Sequence, residues 1–189
     1  VYLTKCVLYF KKQFLKVKVQ YTKIIISVII LSTALFLLPE LYGDGYHAIK
    51  SIIFSSKENL LTLPFGITLI GVLFLKPIVT SATLASGGDG GVFAPSLFMG
   101  AFLGLTLSIL LNTFFDTNLI PLNFIIIGMA ASLSASIHAP FTALFLVCGI
   151  INDYTLFFPM LAICLVSKYT AKMIYPFTVY SFNPSLQKL

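Results

Sequence analysis

Arginine is absent from the sequence, and with it the planar guanidinium fork that grips a phosphate through two parallel hydrogen bonds. All twelve basic residues are lysines, set against six acids, and beyond the first 23 residues they are scattered with no basic patch among aromatics. Nucleic acid is therefore not an expected partner. Charge of either sign is scarce. Only 10% of the 189 residues are charged and 58% are hydrophobic, with a mean hydropathy of +1.00, which excludes an ordinary soluble domain and points to a lipid bilayer as the surrounding medium.

Residues that carry chemistry are equally sparse. Cys6, Cys148 and Cys164 lack the close spacing of a zinc or redox site and read as buried structural thiols. His47 lies in a polar loop and His138 at a helix boundary, too far apart in sequence to suggest a shared catalytic or metal role. No Gly-Lys-Ser/Thr phosphate loop, His-Glu-x-x-His or Gly-x-Ser-x-Gly occurs. Gly88-Asp89-Gly90 opens like a dinucleotide fingerprint, but Phe93 stands where the third glycine belongs and no strand–helix–strand pattern surrounds it. The expectation is a protein that is not an enzyme, with no catalytic residue, metal or cofactor.

What the chain does have is apolar runs, at 24–38, 60–75 (continuing past Lys76-Pro77 to 84), 92–111, 124–137, 140–151 and 156–166. Against a span of about 20 residues, only 92–111 is long enough without interruption. The runs are continuously apolar, whereas a lipid-facing barrel alternates, so they read as helices. The fold class is all-α: a polytopic membrane protein of tilted and partly spanning helices. Short helices broken by Pro and Gly persist at membrane depth only where protein or a water-filled cavity satisfies the freed backbone groups, as in transporters whose broken helices meet near the midplane.

Lys5, Lys11, Lys12, Lys16, Lys18 and Lys23 precede the first long run with no acid among them, which places that end on the cytoplasmic side. Residues 1–23 read as a solvated basic juxtamembrane segment with part of a first helix, and 24–189 as the membrane domain. The segment is not a secretory signal: its charged part is too long, and "LLPELYG" offers no small-residue cleavage site. Opening on Val1, the sequence is not expected to begin at a native start.

The stretch "GGDGGVFAPSLFMGAFLG", residues 87–104, sets the most flexible part of the chain against the most apolar. Glycines allow close approach of backbone to a ligand, Pro95 suits the first turn of a helix, and that turn leaves amide N–H groups unpaired. Without water those donors favour an anion, which the helix dipole also stabilises. An ordinary glycine-rich turn into a membrane helix is the equally weighted alternative. Further along, Gly100-x-x-x-Gly104 reads as a close helix-packing face.

These residues also carry a resemblance. "GGVFAPSLFMGAFLG" is similar to the Gly-x-Phe-x-Pro element of the CLC family of chloride channels and proton-coupled chloride transporters. "GMAASLSASIHAPFTALFLV", "NDYTLFFPML", "VYSFNP" and, upstream, "LPELYGDGYHAI" resemble further family segments in the same order, so the resemblance runs from about Tyr21 to Leu186. It implies one half of an inverted-repeat fold, the second. It implies transmembrane chloride transport by a channel or by proton-coupled antiport, with chloride and, in the antiporters, protons as the transported ions. The anion would be held by the backbone amides of Val92 and Phe93 and by the hydroxyl of Tyr180, with Gly90, Gly91, Ala94 and Pro95 as the supporting loop. A phenol is a neutral donor, which holds an anion without trapping it. On the residues alone, Tyr180 would read as an interfacial aromatic. The resemblance further implies a homodimer through the segments that begin at Pro140 and Leu156 and run to Ile151 and Ile174, in a plasma or inner membrane.

The departures are specific. Gly149, in "LVCGII", stands where a glutamate is common in the family, and Asp89 where many relatives have a neutral residue. A carboxylate there would oppose anion entry unless it points to water, so Asp89 is expected in an exposed turn. The serine, gating-glutamate and proton-glutamate motifs of the family's first half do not occur. The chain is thus expected to be a piece lacking the gating half. The competing readings are a partner half-subunit without transport of its own and, more remotely, a broken-helix transporter of another family.

Overall fold

The computed structural model describes residues 1–42 and 63–180. Among these residues the regular structure is helical: α1 (Tyr2–Leu15), α2 (Gln20–Leu37), α3 (Leu63–Ala85), α4 (Phe93–Phe115), α5 (Pro121–Ile137), α6 (Pro140–Ile151) and α7 (Phe157–Ile174), with a 3-10 turn at Pro39–Leu41. The chain is all-α, as continuous apolar runs require. His47, the rest of residues 43–62, and the segment after Tyr180 lie outside the described residues.

Where the runs singled out one full span, three helices among the described residues are long and apolar enough to cross a membrane: Gln20–Leu37, Phe93–Phe115 and Phe157–Ile174. Counting apolar residues stops at a lysine, but the helix does not. α2 takes in Lys23, and α7 continues through Lys168 and Lys172, because a lysine near a helix end lays its stem along apolar surface and carries its ammonium outward. α5 and α6, at 17 and 12 residues, are short. α3 passes through Pro77, which is buried within the helix and cannot donate to the preceding turn.

The start of the chain adds a helix that the apolar runs did not mark. Within the basic segment, Tyr2–Leu15 is a helix whose Leu3, Val7 and Leu8 are buried on one face against α3. Lys5 and Lys12 are exposed, so α1 is amphipathic, with lysines of the basic segment on the side away from its buried residues.

α4 is the central helix. Of its membrane-length window 56% is buried, against 11% for α2 and 17% for α7. The outer helices accordingly present Ile29, Phe36, Phe158 and Met173 outward. Lipid is as apolar as leucine, so helices in a bilayer gain association from close packing and hydrogen bonds instead of from apolar burial. α4 and α5 show the first. A Cβ on Gly100 would lie 2.2 Å from the Gly128 carbonyl oxygen, and one on Gly104 would lie 2.0 Å from that of Phe124, so backbone rests on backbone as the Gly100/Gly104 spacing implied. Hydrogen bonds supply the second: Ser134 donates to the Cys164 carbonyl (2.6 Å) and Ser167 to that of Ala131 (2.8 Å), tying α5 to α7, while Ser27 donates to Ala82 (2.8 Å), tying α2 to α3. Cys148 and Cys164 are buried in this packing and Cys6 is half-buried.

Candidate anion-binding site

The site is built by the turn between α3 and α4. α3 ends where the Gly88 amide donates to the Thr83 carbonyl (3.0 Å), and Gly87 makes the reversal at φ +97°, a conformation that disfavours any side chain. Gly88 has no room for one either, since a Cβ would lie 2.8 Å from Thr83 Cγ2. Asp89, Gly90 and Gly91 follow on the exposed side, so the Asp89 carboxylate sits in an exposed turn.

At the α4 start, the Ser96 amide donates to the Val92 carbonyl (3.0 Å), and no side chain caps the helix. Pro95 has no N–H, which leaves the amides of Val92, Phe93 and Ala94 ahead of the first helical bond. α5 and α6 begin differently, with proline in the first position, which deletes a donor. α4 keeps its outermost donors, and the dipole adds partial positive charge to them. Ser96 itself is buried, with its hydroxyl 2.6 Å from the Val92 carbonyl and 2.9 Å from Ser136 Oγ, which pins the first turn to α5.

The sequence-predicted residues separate into three environments. The Val92 side chain, 1% exposed, packs with Leu3, Val7, Met99 and Val179, so this residue offers its backbone only. The chain after α7 folds back along the same cluster, and Val179 anchors it there. The next residue, Tyr180, thereby meets Phe93 edge to face, with ring centroids 6.3 Å apart at 81°. Two residues distant in sequence are brought together at the α4 start. Gly90, Gly91, Ala94 and Pro95 instead line a cavity of about 310 Å³, shared with Lys76, Thr80 and Thr83 of α3; Val92, Phe93 and Tyr180 stand outside that lining.

Lys76 was read in the sequence only as an interruption of an apolar run. It is 6% exposed, donates from Nζ to the Leu41 carbonyl (2.8 Å), and holds that ammonium 4.7 Å from the centroid of the Phe98 ring. The signal was available, because an ionisable residue inside an apolar membrane helix is costly and marks a pathway or a site. Gly149 lies on the exposed side of α6, where an added Cβ would meet nothing within 4 Å.

The family model described as voltage gated chloride channel matches residues 1–172. The chain belongs to the CLC family. It is 27% identical over 143 residues to the "Voltage-gated ClC-type chloride channel ClcB" of Escherichia coli strain SMS-3-5 / SECEC, and equally to the proteins of that name from strains O17:K52:H18 and K12 / DH10B. Each alignment covers 75% of this chain and 32% of the relative, so the chain spans about a third of the length of these curated relatives. The CLC match takes in residues 1–20, which the sequence resemblance left out, and ends before Tyr180.

Proposed function

We propose that the protein carrying this chain moves chloride across a membrane, as a channel or in exchange for protons, and that the α4 start is one wall of the chloride seat. The observation that carries the reading is the uncapped helix start behind a glycine turn, with the Val92, Phe93 and Ala94 amides preceding the first helical bond, in a chain of the CLC family. Neutral donors suit transport: they replace part of the hydration shell of a halide without holding it as a fixed charge would. The Tyr180 ring lies against Phe93, which supports its hydroxyl as a further donor, and the Lys76 ammonium in the neighbouring cavity wall favours negative charge there. The site sits in an integral membrane protein of the plasma or inner membrane.

Tyr180→Phe tests the side-chain part. In the full-length protein, calorimetric titration should show chloride binding weakened by about 0.5–1.5 kcal/mol with folding nearly unchanged. Unchanged affinity would return Tyr180 to an interfacial role.

The same reading makes the protein a homodimer through α6 and α7, whose Phe141, Phe145, Phe158 and Met173 are exposed apolar groups. Cysteines placed along 156–174 should form symmetric crosslinks in the dimeric protein. Their failure to do so would remove this interface.

A further inference from the structure

Residues 1–23 hold six lysines and no acid, and the chloride reading uses none of them. The fold gathers five at one end. The Tyr2 hydroxyl donates to the Phe74 carbonyl (3.3 Å) and Gln20 Nε2 to that of Ser86 (2.7 Å), so α1 runs alongside α3 toward the end of that helix. α2 then returns, with Ser27 donating to the Ala82 carbonyl and Leu38 seated against Gly71. The junction of α1 and α2, with Lys11, Lys12, Lys16, Lys18 and Lys23, therefore lies at the end of α3, beside the Gly87 reversal. Lys5 stands apart, its Nζ 5.6 Å from the centroid of the Tyr175 ring.

Lys12, Lys16 and Lys18 are exposed, and among the described residues no ion pair or side-chain hydrogen bond engages any of the five ammoniums; Asp89, in the turn beyond Ser86, pairs with none of them. α2 opens on Val19, which cannot cap, and carries Lys23 and no acid in its first turn, so the helix dipole adds to the positive charge instead of offsetting it. The charge calls for an anion from outside the chain. Between the lysines stand apolar groups that water disfavours: Leu15, Val19 and Tyr21 are 66%, 56% and 78% exposed. A lipid headgroup layer satisfies both, because its phosphates meet the ammoniums while the acyl boundary takes the aliphatic and tyrosine side chains. A free phosphate would answer the charge alone. The lysine excess also puts this end on the cytoplasmic side, the leaflet whose anionic lipids attract juxtamembrane lysines.

We infer that the junction of α1 and α2 docks the headgroups of anionic phospholipids in the surrounding bilayer. The inference goes beyond the chloride reading and does not rest on it. The test is native mass spectrometry of the full-length protein, freed of bound lipid and then offered phosphatidylglycerol and phosphatidylcholine of matched chains in equal amount. Phosphatidylglycerol should be retained several-fold over phosphatidylcholine. K16Q/K18Q touches only exposed side chains, so folding should stand while retained phosphatidylglycerol falls roughly tenfold, and K16R/K18R should keep it. K168Q/K172Q removes the same charge from α7 and should change retention less than twofold. Equal retention of the two lipids by the unaltered protein would overturn the inference. So would an equal loss from the two glutamine pairs, which would reduce the effect to net charge, or complete displacement of phosphatidylglycerol by inorganic phosphate, which would make the junction a site for a free anion.

Discussion

Two groups of glycines lie on either side of the first turn of α4, and they serve opposite ends. At Gly100 and Gly104 an added Cβ would come within 2.2 and 2.0 Å of backbone oxygens on α5. At Gly90 and Gly91 the nearest atoms would be Leu84 Cδ2 at 3.4 Å and the Phe93 nitrogen at 3.9 Å. The missing side chains are used up by protein in the first pair, which locks two helices together. In the second pair the space stays open beside a cavity and a row of amide donors. Glycine in a membrane protein thus marks close approach of something, and only the structure shows whether that is another helix or a ligand.

Substituting each group should separate these roles. Gly104→Ala forces the Phe124 carbonyl to move, so the full-length protein should lose on the order of 1–3 kcal/mol of stability or fail to accumulate, read as a fall in thermal midpoint and folded yield. Gly90→Ala meets only ordinary contact and should leave stability within about 0.5 kcal/mol, so any effect it has should appear in chloride titration. Comparable destabilisation by the two would break the distinction.

The smallest effect lies away from both groups, in the turn between α6 and α7. Asp153 Oδ1 accepts hydrogen bonds from the Thr155 hydroxyl and amide, which hold its pKa below the ordinary carboxylate value. Folded pKa is below unfolded pKa, so this stabilisation is present above about pH 4 and is lost as pH falls through the folded value. Asp153→Asn should flatten that acid limb of the thermal midpoint while leaving chloride affinity where it was.

Much of the fold was legible because its signals are local. Continuous apolar runs gave helices, and the spacing of Gly100 and Gly104 gave a packing face whose partner, Gly128, needed the structure. Helix α1 was obscured because Lys5, Lys11 and Lys12 interrupt its apolar residues, so that no continuous apolar run marks the face on which Leu3, Val7 and Leu8 are buried. Lys76 was passed over because a run-length count treats a cation as a boundary instead of asking where its charge goes. In the candidate site, the free amides ahead of Pro95 follow from the sequence and helix geometry alone. The Phe93–Tyr180 contact does not: it depends on the chain folding back after α7 and on Val179 packing beside Val92, a long-range event with no periodicity to announce it.

The central claim is that the Gly-rich turn presents backbone amides to chloride, and replacing one amide tests it. In the full-length protein, an ester in place of the Val92–Phe93 peptide bond removes the Phe93 N–H with little change of shape. It should weaken chloride binding by about 1.5–3 kcal/mol, roughly ten- to a hundredfold in calorimetric titration. Val92→Ala is the companion variant. Its side chain is buried among Leu3, Val7, Met99 and Val179, so it should cost about 1–2 kcal/mol of folding stability yet leave chloride affinity within about twofold. A selective loss of affinity with the ester would make the α4 start the seat of the anion. Equal and small effects on affinity from the two proteins would contradict the account and leave the stretch a turn between helices.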